Sequence, residues 1–151
     1  MITTAQYGND FLCSDASPGP GPPTSGSSPC TVVPHSRTPI KERAVLDQLK
    51  RFHDTPPPVR RDNASVSLVF DYQCTNQSRE CPSGQPNTDA KHGRHQVWFD
   101  NADTLREKYQ ACDALGVLGV GVYAADFVDY TIAQGSDNWA ALASVWPRGA
   151  K

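Results

Sequence analysis

Residues Leu115 to Tyr130 read L-G-V-L-G-V-G-V-Y-A-A-D-F-V-D-Y. Val117 to Tyr123 is an apolar run of strand length with no alternation, which suits a strand covered on both faces. Gly116, Gly119 and Gly121 punctuate the run. A glycine inside a strand weakens it unless something bulky must approach the backbone closely. The run ends in Tyr123, then small Ala124 and Ala125, then Asp126-Phe127-Val128-Asp129-Tyr130. A buried parallel strand that delivers an aromatic and then acids at its C-terminal end fits the rim of a barrel-type active site. An ordinary core strand followed by a loop fits it equally, because aromatic residues end many strands.

The flanks of this stretch extend the pattern. Asn101 is placed to cap a helix with Leu105, Tyr109, Cys112 and Leu115 on one face, and Gly116 closes it as the left-handed residue. Cys112 on that face reads as a buried free thiol. After the strand, Gln134 to Asp137 reads as a loop, and Asn138 starts a last helix with Trp139, Leu142 and Trp146 inward. Helix, strand and helix alternate as in a right-handed β/α unit.

Further upstream, Ile2 to Gln6 is β-favourable and presents Tyr7 at its end. Ser14 to Pro29 is rich in Pro, Gly and Ser, the composition of a loop, and Cys13 and Cys30 bracket it. Pairing those two would be worth on the order of 3 kcal/mol by the chain-entropy model. Thr38-Pro39 looks like a helix start, with Ile40, Val45, Leu46, Leu49 and Phe52 on an apolar stripe. Lys41, Glu42, Asp47 and Lys50 should face away, and Pro56-Pro57-Pro58 forbids continuation past Thr55. Ser65 to Tyr72 reads as a strand with Val66, Leu68 and Phe70 on one face, and His95 to Phe99 as a short one. Cys74 and Cys81 have the spacing of a short disulfide-closed loop.

Composition narrows the classes. A chain of 151 residues can bury one core, and a formal charge of −2 with scattered Lys and Arg offers no footprint for nucleic acid. No apolar run reaches the 18 or so residues that a membrane span needs. His92-Gly93-Arg94-His95 lacks nearby acid or thiolate ligands, so no metal and no cofactor is expected. Five cysteines and the sequons Asn63-Ala64-Ser65 and Asn76-Gln77-Ser78 point to a lysosomal or extracellular setting. Met1-Ile2-Thr3-Thr4 lacks the basic start and apolar core of a signal peptide, so the expectation is a chain that begins inside a larger protein.

Taken in order, Tyr7-Gly8-Asn9-Asp10-Phe11, His95-Gln96-Val97-Trp98-Phe99-Asp100-Asn101, Gly119-Val120-Gly121-Val122-Tyr123 and Asp129-Tyr130 resemble the C-terminal part of a family 18 glycoside hydrolase, nearest its chitobiase branch. The resemblance covers nearly the whole chain apart from Cys74 to Gly93. It implies an α/β fold, a partial (β/α)8 TIM barrel carrying a small inserted α+β segment between its seventh and eighth strands. Residues 1–151 would then be one catalytic-domain fragment, with 12–95 the insertion and its flanks and 96–151 the last β/α units.

The resemblance further implies action on N-acetylglucosamine oligosaccharides by substrate-assisted retention. There one carboxylic acid protonates the leaving oxygen and the substrate's own acetamido group attacks, an exception to the two-carboxylate rule. Its D-x-x-D-x-D-x-E acid motif is absent from this sequence; Asp126-x-x-Asp129 is the nearest spacing, and it follows the wrong strand. The sixth-strand Met-x-Tyr-Asp pattern is absent too. No catalytic residue is therefore assigned, and the partners expected are a chitooligosaccharide and the remaining N-terminal barrel strands. Tyr7 matches a substrate-contacting tyrosine. Tyr123 stands where the family usually has a tryptophan, and it keeps a smaller stacking face. Asp10 and Asp100 match family positions, Asp10 as a substrate-binding candidate, and both also fit loop or helix-start acids. The alternative is a non-catalytic, chitinase-like lectin module that uses Tyr7, Trp98 and Tyr123 as platforms.

Overall fold

A computed structural model describes residues 2–5, 8–14, 30–51, 57–74, 93–123, 125–128, 130 and 133–144. Strand β1 (Ile2–Ala5) pairs in parallel with β7 (Val120–Tyr123), with Ile2 opposite Val120 and Ala5 opposite Tyr123. Helices α2 (Ala102–Ala114) and α3 (Ala133–Ala143) pack beside this pair. Leu105, Tyr109 and Ala141 form their buried centre, with Ala102, Val120 and Leu142 against it.

The rest is a five-stranded antiparallel sheet in the order β3-β2-β6-β5-β4. Its strands are β2 (Gly8–Leu12), β3 (Thr38–Ile40), β4 (Arg60–Asp62), β5 (Ser67–Cys74) and β6 (Gly93–Phe99). Helix α1 (Glu42–Arg51) covers one face, and Val45 reaches the cluster of Phe70, Tyr72, Cys74, Val97 and Phe99. Side chains alternate along a strand, so His95, Val97 and Phe99 turn toward α1, while Arg94, Gln96 and Trp98 lie on the opposite face. The whole is a mixed α/β fold.

Several elements differ from the sequence reading. Thr38-Pro39 does not start a helix; it lies in β3, where Asn9 faces Pro39. Proline is tolerated there because β3 is an edge strand that need not donate on both sides. The helix begins at Glu42, after Val45 N–H bonds the Lys41 carbonyl, and Glu42 is buried, not turned outward. Strand β5 starts two residues late, because Val66 occupies the turn before it at φ 54°. Strand β4 has no apolar pattern to announce it. Leu115 is exposed, Leu118 is fully exposed, and the expected strand from Val117 shortens to Val120–Tyr123, with half-buried residues in place of two covered faces. Helix α3 starts at Ala133, which leaves Asn138 in mid-helix and buried. Phe52 and Trp146 lie outside the described residues.

The Asn101 cap is present in full: its side chain accepts from Thr104 N at 3.0 Å, and Thr104 Oγ1 accepts from Asn101 N at 3.0 Å. Gly116 follows at φ 67°. Replacing Asn101 with Ala should cost about 1 kcal/mol, measurable as a lower urea midpoint at unchanged slope. Gly8 is needed for close approach. A Cβ there would stand 2.7 Å from Val45 Cγ2 and 3.0 Å from Ile40 Cγ1. Gly8→Ala should destabilise by about 1–3 kcal/mol, and an unchanged melting temperature would show that α1 yields freely.

Candidate functional site

The β1/β7 pairing determines where the candidate aromatics stand. Register places Ala5 opposite Tyr123, so both strands leave the pair at the same end. Tyr123 is 62% exposed there. Tyr7 lies outside the described residues, between Ala5 and the start of β2 at Gly8. Beyond Tyr123 the chain makes a 3-10 turn, Ala125–Phe127, and Lys41 Nζ lies 5.8 Å from the Phe127 ring centroid. Next to it, Asn138 Nδ2 donates to Glu42 Oε1 at 2.7 Å, both residues buried. That bond joins α1 to α3 and holds the five-stranded sheet beside the strand pair. Sequence periodicity could not find it, since Glu42 carries the charge of a solvent-facing residue and Asn138 the signature of a helix cap.

Asp10 is in β2 with its carboxylate turned toward the α1 face. Oδ2 accepts from Tyr72 Oη at 2.6 Å, and Oδ1 accepts from His95 Nδ1 at 3.0 Å. The Tyr72 and His95 rings stack at 4.8 Å. Asp10 is only 3% exposed, so both its oxygens serve the interior. It orders the sheet and is not a helix-start acid. Asp100 does play that part: it accepts from Thr104 Oγ1 at 3.0 Å and from Lys108 Nζ at 2.7 Å. Burial, with Asp10 beside it, pushes the Tyr72 phenol well above the ordinary tyrosine range.

On the other face Asp71 gathers a second network. Arg60 donates to Oδ2; Arg94 Nη2 and Gln96 Nε2 donate to Oδ1 at 2.9 and 3.0 Å. Gln96 Oε1 in turn accepts from Trp98 Nε1 at 2.9 Å and from the Cys30 backbone N–H at 3.5 Å. The network thus orients a half-buried indole and anchors the end of the Cys13–Cys30 disulfide. Sequence reading missed Asp71, whose only signal was an acid inside an apolar strand.

The remaining candidates are placed as follows. Cys13 and Cys30 are bonded, with Cα atoms 5.5 Å apart, and Cys112 is free and half-buried. Cys74 is disulfide-bonded, while Cys81 and Asn76 lie outside the described residues. Asn63 is exposed in the turn between β4 and β5, which Asp62 Oδ2 closes by accepting from Ser65 N at 2.8 Å. His95 is committed to Asp10, and no cluster of three or more metal-ligating side chains occurs among the described residues.

Comparison with known proteins bears on the fold. No family model matches the chain. Over 56 residues it is 43% identical to the probable di-N-acetylchitobiase 2 of Dictyostelium discoideum, a match that covers 36% of this chain and 14% of the relative. The chain resembles the C-terminal part of a family 18 glycoside hydrolase. Likeness to solved chitinase structures extends across the fold. The C-terminal domain of a putative chitinase from Desulfitobacterium hafniense matches with TM-score 0.60 at 18% identity, over 96% of this chain and 34% of that one. The family 18 chitinase of Cycas revoluta, solved with (GlcNAc)3, matches with TM-score 0.58 at 11% identity, over 97% of this chain and 33% of that one. The chain therefore spans about a third of the length of these structural relatives.

The Tyr72–Asp10 bond has a pH consequence. A phenol held above the ordinary value of about 10 keeps its proton in the folded state after the unfolded chain has lost it. Its contribution is complete below about pH 10 and declines as pH rises beyond it. Tyr72→Phe should therefore lower the neutral melting temperature and flatten the alkaline fall in stability above pH 10. An alkaline limb as steep as in the parent would rule this out. Asp10→Ala removes the buried acceptor shared by Tyr72 and His95 and should cost about 2–3 kcal/mol, measurable by urea unfolding at pH 7.

Proposed function

We propose that the chain is the C-terminal part of a family 18 glycoside hydrolase acting on N-acetylglucosamine oligosaccharides, and that it forms one wall of the sugar cleft. In this reading β1 and β7 are the seventh and eighth strands of a (β/α)8 barrel, and α2 and α3 are its accompanying helices. Residues 12–95 are the insertion with its flanks. The observation that carries the reading is the parallel pairing of Ile2–Ala5 with Val120–Tyr123, which brings an exposed aromatic to the end where β1 leads into Tyr7. Barrel enzymes build their sites at the C-terminal ends of neighbouring strands.

The chain's own chemistry is positional. The Tyr123 ring offers a face to a pyranose unit, and Asp10 supports the wall through Tyr72 and His95 without touching sugar. The full D-x-x-D-x-D-x-E spacing does not occur in this sequence, so in this reading protonation of the leaving oxygen falls to residues outside it. The paired cysteines support a lysosomal or extracellular site of action.

Saturation-transfer NMR on the purified chain should detect weak binding of chitotriose, lost in Tyr123→Ala, with no release of N-acetylglucosamine. Absence of binding by the parent chain would remove the wall, and turnover by this chain alone would show that the acid lies within it. Micromolar binding without hydrolysis would favour the lectin reading, which the missing acid motif also fits.

A further inference from the structure

We propose that Tyr130, backed by Trp139, forms a second sugar platform next to Tyr123, engaging a unit of an amino-sugar oligomer that extends past the Tyr123 position. This rests on the reading of the Tyr123 end as a cleft wall. The first observation is an exposed ring held firmly in place. Tyr130 is 62% exposed, yet its hydroxyl donates to the Ala125 carbonyl at 2.9 Å. One face of its ring lies on Trp139, with centroids 6.0 Å apart and planes inclined by 23°. A surface tyrosine fixed at both the hydroxyl and one face, with the rest in water, is preorganised for contact on its outer side.

The second observation concerns Trp139. Its indole Nε1 is buried with no hydrogen-bond partner. Leaving such a donor unpaired is costly, so the contribution of this residue to the fold comes from its ring, and that ring supports Tyr130.

The third is position. Ala125, to which Tyr130 is tied, follows Tyr123 by two residues, a span of no more than about 7 Å of chain. Both exposed phenols are therefore tied to the chain just beyond the C-terminal end of β7. Aromatic rings with one apolar face and one polar handle suit the ring face and hydroxyl edge of a pyranose. A three-unit oligomer reaches Tyr123; a longer one reaches Tyr130 as well.

The test compares chitotriose with chitohexaose on the full chain by saturation-transfer NMR and fluorescence titration. The parent should bind the hexamer more tightly than the trimer. Tyr130→Leu, which keeps apolar bulk over Trp139 but removes the aromatic face, should weaken hexamer binding about fivefold and leave trimer binding unchanged. Tyr130→Phe should retain the hexamer preference. Unchanged trimer binding in both Tyr130 variants reports that the fold is intact. Equal hexamer affinity in the parent and Tyr130→Leu overturns the platform while the Tyr123 wall stands. Loss of trimer binding in Tyr123→Ala supports that wall independently. Failure of the parent to bind either oligomer overturns both.

Discussion

The parallel pairing of β1 with β7 is the constraint on which the other features depend. It joins the start of the described chain to a strand near its end, and everything between must leave and return to satisfy it. Parallel neighbours need a long connection, and here that connection contains a whole antiparallel sheet and its helix. Closing so distant a contact is entropically expensive, and local propensity cannot supply it. The compensating burial comes from Val120 against Leu105, Tyr109 and Ala141, together with the packing of α2 on α3.

The second sheet is held by polar groups as much as by apolar ones. Its α1 side has Phe70, Val97 and Phe99, but also the Asp10, Tyr72 and His95 set; its far side centres on Asp71 with two arginines and Gln96. Buried polar networks are costly when incomplete and specify a geometry when satisfied. Here they orient the half-buried Trp98 indole through Gln96, and hold the buried disulfide end at Cys30 through the same amide. The Glu42–Asn138 bond then sets this sheet beside the strand pair.

Much of the local structure was legible because it follows from short-range rules. The capped helix after Asn101, the left-handed Gly116, the strand at Ile2 and the Cys13–Cys30 bridge all rest on neighbours or on cysteine bracketing. The misreadings share one cause. Thr38-Pro39 looks like a helix start until an edge position beside β2 becomes available to it. Asn138 looks like a cap until Glu42 arrives from a distant helix to pair with it. Strand β4, with Arg60 and Arg61, has no apolar period, because its arginines satisfy Asp71 and Glu107 across the fold.

What the sequence alone determined was the set of parts: an ordered string of motifs resembling a family 18 hydrolase, an aromatic at the end of a glycine-punctuated strand, and no acid motif to accompany it. Those are properties of residues and spacing, so they survive without coordinates. Only the tertiary structure decided which acids face inward, that Asp10 and Asp71 serve networks on opposite sides of one sheet, and that Tyr130 is clamped beside the Tyr123 end. Each of these depends on partners far away in the chain. A side chain's charge and polarity are local, but whether it is buried, paired or exposed is decided by what long-range packing brings against it.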